Sequence, residues 1–358
     1  MADAGAGDHH PARGRYSPAI AGRHSGALLD NVGQVLGYWI MASLPERTTV
    51  FPVAMREIRF HGPHPAAGER LECLVKITEV TNESLVADMQ LVHNGQVWAE
   101  FHGWRDRRFD SNPEIRRADR TPEVATLSKE QPARWALVHE QWPDLATREL
   151  IMRNYLAGGE RDDYDRHPPR GRRQWLLGRI AAKDAVRQLL WGDGEGGIFP
   201  AELRVANDRY GRPYVSGAYG RTLPEHTVSL AHRGEVGVAI ARYGPCGIDV
   251  EEVKLPAEST LDAAFGASER ELFDGLGGTD VWFARFWTAK EAVAKLRGTG
   301  LKGEPRDFEV VTASPEELTV RAGGTDYRVH CASVTNLPAS MPRDYVVSWT
   351  EIEKENRK

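Results

Sequence analysis

The chain has 358 residues, 41% of them hydrophobic and 27% charged, with a formal net charge of −5. That is enough apolar material for two or three cores, and it excludes disordered, collagen-like and dedicated basic nucleic-acid-binding classes. No apolar window is long enough to span a membrane, and MADAGAGDHHPARG lacks the charge-then-apolar order of a leader. Cys73, Cys246 and Cys331 are far apart, which argues against a CxxC zinc site or a disulfide framework and fits a reducing, cytoplasmic setting.

Taken in chain order, residues 1–23 are rich in Gly, Ala, Pro, His and Arg and read as a flexible segment. Residues 25–42 carry Leu28, Val32, Val35, Leu36 and Trp39 at helical spacing. Strands are expected at 49–60, 69–80, 84–92 and 96–104. Pro52 suggests an edge or a bulge in the first, and Asn94-Gly95 a hairpin turn. A helix laid on an antiparallel meander is an α+β unit, placed at residues 24–110. The charged, proline-containing stretch 111–135 reads as a linker. Helices are then expected near 144–157 and 173–191, and strands at 201–206, 226–231, 235–242 and 245–250. Further helices fall at 257–263, 267–275 and 282–297, and strands at 307–311, 317–321, 326–332 and 343–351. The basic cluster within 161–187 suits an anionic ligand or an acidic partner, or else a solvated helix face.

Three signals carry chemistry. In GIDVEEV, residues 247–253, Asp249 and Glu251 share one face of a strand, and two neighbouring carboxylates call for a positive charge such as Mg²⁺. In WFARFWTAKEAVAKLRGTGLKG, residues 282–303, most aromatics read as core. Glu291 and Lys295 lie one turn apart, either as a stabilising helix pair or as a metal ligand beside a phosphate-binding cation. Lys290 sits one residue off. VSLAHRG brings His232 and Arg233, and NDRYGRPYV brings Gly211 and Arg212, as anion-binding candidates that also read as ordinary turns.

The order GRIAAKDAVRQLL, DRYGRPYV, VSLAHRGEVGVAIA, GIDVEEV, FWTAKEAVAKLRGTGLKG resembles the 4′-phosphopantetheinyl transferase superfamily, above all its two-lobed, surfactin-synthetase-type branch. The resemblance covers about residues 136–355 and implies pseudo-twofold α/β lobes near 136–240 and 241–355 with the cofactor between them. It implies Asp249, Glu251 and Glu291 as Mg²⁺ ligands, and Lys290 and Lys295 on the coenzyme A phosphates. It places His232 at the 3′-phosphate, Arg212 near the adenine, and Arg179 near the same phosphate. The implied reaction, that of a holo-[acyl-carrier-protein] synthase, moves phosphopantetheine from coenzyme A to a carrier-protein serine. Glu251 is the first choice of base and Lys295 its rival. The basic 170–187 region is expected to dock an acidic acyl carrier protein.

HSGALLDNVGQVLGYWI, residues 24–40, resembles the second half of a polyketide synthase dehydratase, whose HPALLDAALQ pattern lies on the central helix of a hot-dog fold. Asp30 matches the catalytic aspartate, Gln34 the residue that orients it, and Ser25 replaces the usual proline. One hot-dog half lacks the other's catalytic histidine, and His24, His61 and His64 are local substitutes without a matching position. The expectation is a remnant, an acyl-binding scaffold or a half-site completed by another chain. Dimerisation through this domain is possible, and the order of domains is like the tail of an iterative or enediyne-type synthase. A carrier-docking scaffold is the alternative to an enzyme.

Overall fold

A computed structural model of the chain describes residues 26–44, 49–66, 68–109, 113–140, 142, 145–336 and 342–352. It divides into two units, Met1–Ser111 and Asn112–Lys358. Among the described residues no helix is long and apolar enough to cross a membrane.

In the first unit, α1 (Gly26–Ser43) is followed by β1 (Thr49–Ala54), β2 (Glu57–Phe60), β3 (Glu72–Val80), β4 (Ser84–His93) and β5 (Gln96–Phe109). All pairings are antiparallel, in the order β1-β5-β4-β3, with β2 also on β5. Val32, Leu36 and Ile40 recur every four residues and bury one stripe of α1. Opposite them β4 alternates strictly, offering Leu85, Ala87, Met89 and Leu91 to the same core. The expected 49–60 strand is two strands, and β1, at the sheet edge, shifts register between Pro52 and Ala54. Asn94 and Gly95 both adopt positive φ, 50° and 76°, the geometry of a tight hairpin turn.

The expected linker is corrected. Residues 113–135 pack as part of the second unit, through α2 (Pro113–Arg120) and β6 (Lys129–Glu130). Charge dominates the composition of this stretch, but Ile115 and Ala118 lie three apart on α2 and, with Leu127, enter the core. The Ser128 amide donates to buried Asp184 at 3.0 Å.

The remaining elements are β7 (Trp135–His139), α3 (Leu145–Tyr155), α4 (Gly158–Arg166), α5 (Pro169–Gly192), β8 (Leu203–Asn207), β9 (Pro213–Gly217), β10 (Thr227–Arg233) and β11 (Val236–Arg242). They continue with β12 (Cys246–Glu252), α6 (Glu258–Ala264), α7 (Ala267–Gly275), α8 (Asp280–Arg297), β13 (Phe308–Ala313), β14 (Glu317–Ala322), β15 (Thr325–Thr335) and β16 (Asp344–Glu351). One lobe lays α5 on the sheet β10-β11-β7-β6, and the other lays α8 on β12-β16-β15-β14-β13. The sheets meet at an apolar seam of Leu137, Val238 and Ile240 with Ile248, Val250 and Val347. The Trp135 and Trp349 rings lie 5.6 Å apart in it. Gly247 allows α8 to lie directly on β12, since a Cβ there would stand 2.0 Å from the Ala292 carbonyl oxygen.

The lobes repeat one buried latch. Lys183 of α5 reaches Glu160 Oε2 at 2.6 Å and the Tyr155 carbonyl, while Glu160 Oε1 accepts from the Val205 amide. Lys290 of α8 reaches Glu269 Oε2 at 2.7 Å and the Ala264 carbonyl, while Glu269 Oε1 accepts from the Val310 amide. Each glutamate is the third residue of a short helix, and each pair is almost wholly removed from water. Such a pair fixes geometry because losing one partner strands a buried charge.

Candidate active site

The site forms where β10 and β12 run beside each other and α8 crosses β12. Alternation puts Asp249 and Glu251 on one side of β12. Thr279 caps α8 at its start and Gly298, at φ 67°, ends it, which sets the phase that brings Glu291 and Lys295 to the strand. Lys295 Nζ donates to Asp249 Oδ1 at 2.7 Å and to the Ile248 and Leu230 carbonyls at 3.1 and 3.3 Å. Glu251 Oε1 lies 2.8 Å from Arg233 Nε.

The electrostatics tie the three carboxylates together. Burial raises the Asp249 pKa, opposed by Lys295. Burial raises that of Glu251, opposed by Arg233 and reinforced by Asp249. Burial raises that of Glu291, reinforced by Asp249 and Glu251. Removal from water and mutual repulsion thus favour a cation among them. They do not form a closed ligand set: among the described residues no three His, Cys, Asp or Glu side chains are arranged to hold a metal ion. Asp249 and Glu251 hold Lys295 and Arg233 instead.

His232 comes from the end of β10. It keeps an exposed edge, while its ring packs on α5 at Gly178, where a Cβ would lie 3.1 Å from Cδ2. Loss of hydration, and then Lys295 and Arg179, lower its pKa. Arg179 stacks 4.3 Å above Trp175, and its Nε is buried without a hydrogen-bond partner. Both residues line a cavity of about 390 Å³ with Arg166, His167 and Asn207. Asp208 Oδ1 accepts from the Tyr210 and Arg212 amides and shapes the GRP turn, and Arg212 Nε donates to the Gly298 carbonyl at 2.9 Å. That turn is therefore pinned to the end of α8.

Two expectations are corrected. Lys290 is fully buried in its latch with Glu269, so its ammonium is not available to a phosphate. One residue of helical phase, about 100°, separates it from the site-facing Glu291. The basic 170–187 segment offers less surface charge than expected, with Arg170 exposed and Arg173 partly so. Lys183 and Arg187 are buried in ion pairs, and Arg172 donates to the His167 and Asp165 carbonyls. Arg173 pairs with Glu140 at 3.3 Å.

Gly178 has no signal in the sequence beyond being the small residue beside Arg179, and Phe283 and Trp287, which read there as core, also border the site. These two rings stack at 6.1 Å and wall a cavity of about 340 Å³ that opens beside Arg233 and Glu251.

In the first unit Gln34 Nε2 donates to Asp30 Oδ2 at 2.7 Å on the exposed face of α1. His61 pairs with Glu100 at 2.9 Å, and His64 Nδ1 lies 2.8 Å from the Pro65 carbonyl oxygen. His24 and Ser25 lie outside the described residues.

Residues 245–350 match the 4′-phosphopantetheinyl transferase superfamily, and residues 27–115 match a family described as the polyketide synthase dehydratase N-terminal domain. The latter description names the N-terminal domain, where the HSGALLD motif pointed to a second half. The chain is similar to the 4′-phosphopantetheinyl transferase psf-1 of Bacillus pumilus, 26% identical over 165 residues, 46% of this chain and 65% of the relative. It is also similar to the L-aminoadipate-semialdehyde dehydrogenase-phosphopantetheinyl transferase of Schizosaccharomyces pombe (strain 972 / ATCC 24843), 26% identical over 148 residues, 35% of this chain and 57% of the relative. The chain spans less than two thirds of the length of either relative.

Proposed function

The chain carries a domain of the 4′-phosphopantetheinyl transferase superfamily at 245–350 behind a polyketide synthase dehydratase domain at 27–115, and on that premise we propose that it moves the phosphopantetheine arm of coenzyme A onto a serine of an acyl carrier protein. The observation that carries this reading is the meeting of Asp249 and Glu251 on β12 with Glu291 on α8, where Asp249 raises the pKa of both glutamates and Glu251 that of Glu291, beside Lys295.

Three neighbouring carboxylates, Asp249 buried and Glu251 and Glu291 half-buried, are in donor type and charge a set for a hard divalent cation, and Mg²⁺ is the natural choice. Asp249, Glu251 and Glu291 would hold it, and when bound it supplies charge neutralisation at a pyrophosphate. The rest is work for the chain's own groups. Lys295, anchored on the Ile248 and Leu230 carbonyls, holds positive charge where phosphoryl oxygens gather it. His232 and Arg212 receive the nucleotide end, with the stacked Arg179 behind them. The serine oxygen forms a bond to the phosphorus bearing pantetheine, the bridging P–O bond breaks, and adenosine 3′,5′-bisphosphate leaves. The serine proton passes to Glu251, directly or through a water.

Mass spectrometry of an apo carrier protein mixed with the chain, coenzyme A and Mg²⁺ tests the proposal. A gain of one phosphopantetheine arm, lost with Asp249→Asn, is expected. No gain with several acyl and peptidyl carriers would leave the scaffold alternative.

A second reading belongs to the first unit. The Gln34–Asp30 hydrogen bond presents an oriented carboxyl, as a 3-hydroxyacyl thioester dehydratase half-site requires. Dehydration of a 3-hydroxyacyl carrier thioester, abolished by Asp30→Asn, is its test. A cytoplasmic setting, a dimer through this unit and membership of a larger polyketide synthase fit both readings.

A further inference from the structure

Glu251 and Asp249 each hold a cation, and the two cations are held differently. Lys295 bonds Asp249 and two backbone carbonyls and is 28% exposed, so it is anchored whether or not the carboxylate is free. Arg233 is 54% exposed and meets Glu251 at the mouth of the groove. Its backbone is fixed: Gly234 follows at φ 55°, and the next residue, Glu235, accepts from the Tyr345 hydroxyl at 2.8 Å and pairs with Arg343 at 3.3 Å. The turn is tethered through Glu235, while the arginine side chain extends from it into solvent.

Arg233 Nε and an ion coordinated by Glu251 would compete for one oxygen, Oε1, and two cations at such a distance repel. A freed guanidinium has a place to go. The 340 Å³ cavity beside it is lined by Phe283, Trp287, Leu255 and Pro256, and carries Lys254 as a second cation and, besides Glu251, the carboxylate of Glu252, which lies 3.9 Å from Arg343. With Glu251 neutralised by the ion and Glu252 beside Arg343, Arg233 and Lys254 leave a net basic rim next to an aromatic wall, which complements an acidic protein surface that offers one apolar side chain.

We propose that Arg233 is a displaceable counter-ion: it neutralises Glu251 until a divalent cation takes its place, and then joins Lys254 as the rim on which the acidic carrier protein docks. The identity of the partner rests on the transferase reading, whereas the displacement does not. Metal loading and carrier capture become one event, so the empty enzyme does not hold carriers unproductively.

The test titrates the full chain with Mg²⁺ alone by calorimetry, then measures carrier KM across salt concentrations, for the wild type, Arg233→Ala and Arg233→Lys. Arg233→Ala should bind Mg²⁺ about two- to fivefold more tightly, as loss of an exposed competing pair implies. Its carrier KM should rise about fivefold at low salt with a flatter salt dependence. Arg233→Lys should fall between. Unchanged or weaker Mg²⁺ binding by Arg233→Ala, with normal transfer by the wild type, would overturn the displacement and leave the transferase reading standing. Tighter Mg²⁺ binding with no transfer by the wild type would remove the carrier from the proposal. An unchanged carrier KM in Arg233→Ala would remove the docking rim.

Discussion

Lys295 Nζ lies 2.7 Å from Asp249 Oδ1, joining the last turn of α8 to the middle of β12. The same ammonium bonds the Leu230 carbonyl of β10, so one side chain fastens the second lobe's helix to the first lobe's edge strand. Residues that line the candidate site thereby also hold the lobes in register.

Replacing Glu291 by glutamine should separate function from stability. Burial raises the pKa of its carboxyl, and crowding by Asp249 and Glu251 adds to that. A folded-state carboxyl pKa above the unfolded value means that the ionised form is disfavoured in the fold, so the penalty grows as pH rises from the unfolded pKa to the folded one and is fully present above it. In metal-free buffer at pH 7.5, Glu291→Gln should raise Tm by about 1–3 °C. Transfer should fall by about two orders of magnitude or more. A metal-free Tm lower than wild type in differential scanning calorimetry would refute the crowding argument.

Lys290→Ala should act on folding. It leaves the Glu269 carboxylate buried without its partner, a loss of about 3–5 kcal/mol. At about 2–4 °C per kcal/mol for a unit of this size, Tm should drop by roughly 10 °C. The paired replacement Lys290→Met with Glu269→Leu should recover most of that loss and keep the coenzyme A KM within about twofold. A large KM rise in the recovered double variant would return Lys290 to the phosphates.

Gly247→Ala places a methyl group 2.0 Å from the Ala292 carbonyl oxygen. The atoms it meets are all backbone of α8, at Ala292 and Leu296, so the helix must lift from β12. The expected outcome is a loss of about 2–4 kcal/mol in urea unfolding. Gly178→Ala, whose methyl group meets the movable His232 ring at 3.1 Å, should mainly raise the coenzyme A KM. Equal urea midpoints for Gly247→Ala and the wild type would contradict this packing.

His232 supplies the pH dependence. Its folded pKa lies below the unfolded value, so between the two the unfolded chain takes up a proton that the folded chain refuses. Stability should therefore fall as pH drops through the window beneath about 6.5. His232→Gln should flatten that part of the curve. Calorimetric binding of coenzyme A near pH 6.5, in buffers of different ionisation enthalpy, should show proton uptake, because a phosphate nearby favours the imidazolium. Proton release on binding would remove His232 from the phosphate.

The parts of the site legible in the sequence were those fixed by local periodicity. The two-residue repeat of Asp249 and Glu251 and the four-residue spacing of Glu291 and Lys295 each define a shared face without reference to the rest of the chain. What escaped depended on partners far away. Nothing near Lys290 announces Glu269 and the Ala264 carbonyl, and nothing near Lys183 announces Glu160, so both lysines read as free charge. The 111–135 stretch misled in the same manner, because Ile115 and Ala118 anchor a helix whose composition is otherwise that of a linker. In the first unit, α1 and the β3-β4-β5 meander were readable because β4 alternates strictly and these three strands pair with neighbours in sequence.

The twin latches have a consequence for how many reactions one chain can host. The residue after each latch lysine is acidic: Asp184 in one lobe, Glu291 in the other. Asp184 is sealed beneath Ser128, Tyr155 and Arg187, while Glu291 opens toward the groove. Near-duplicate halves have been assigned unequal trades, one as buttress and one as workbench. A saturating titration should accordingly find a stoichiometry of one coenzyme per polypeptide.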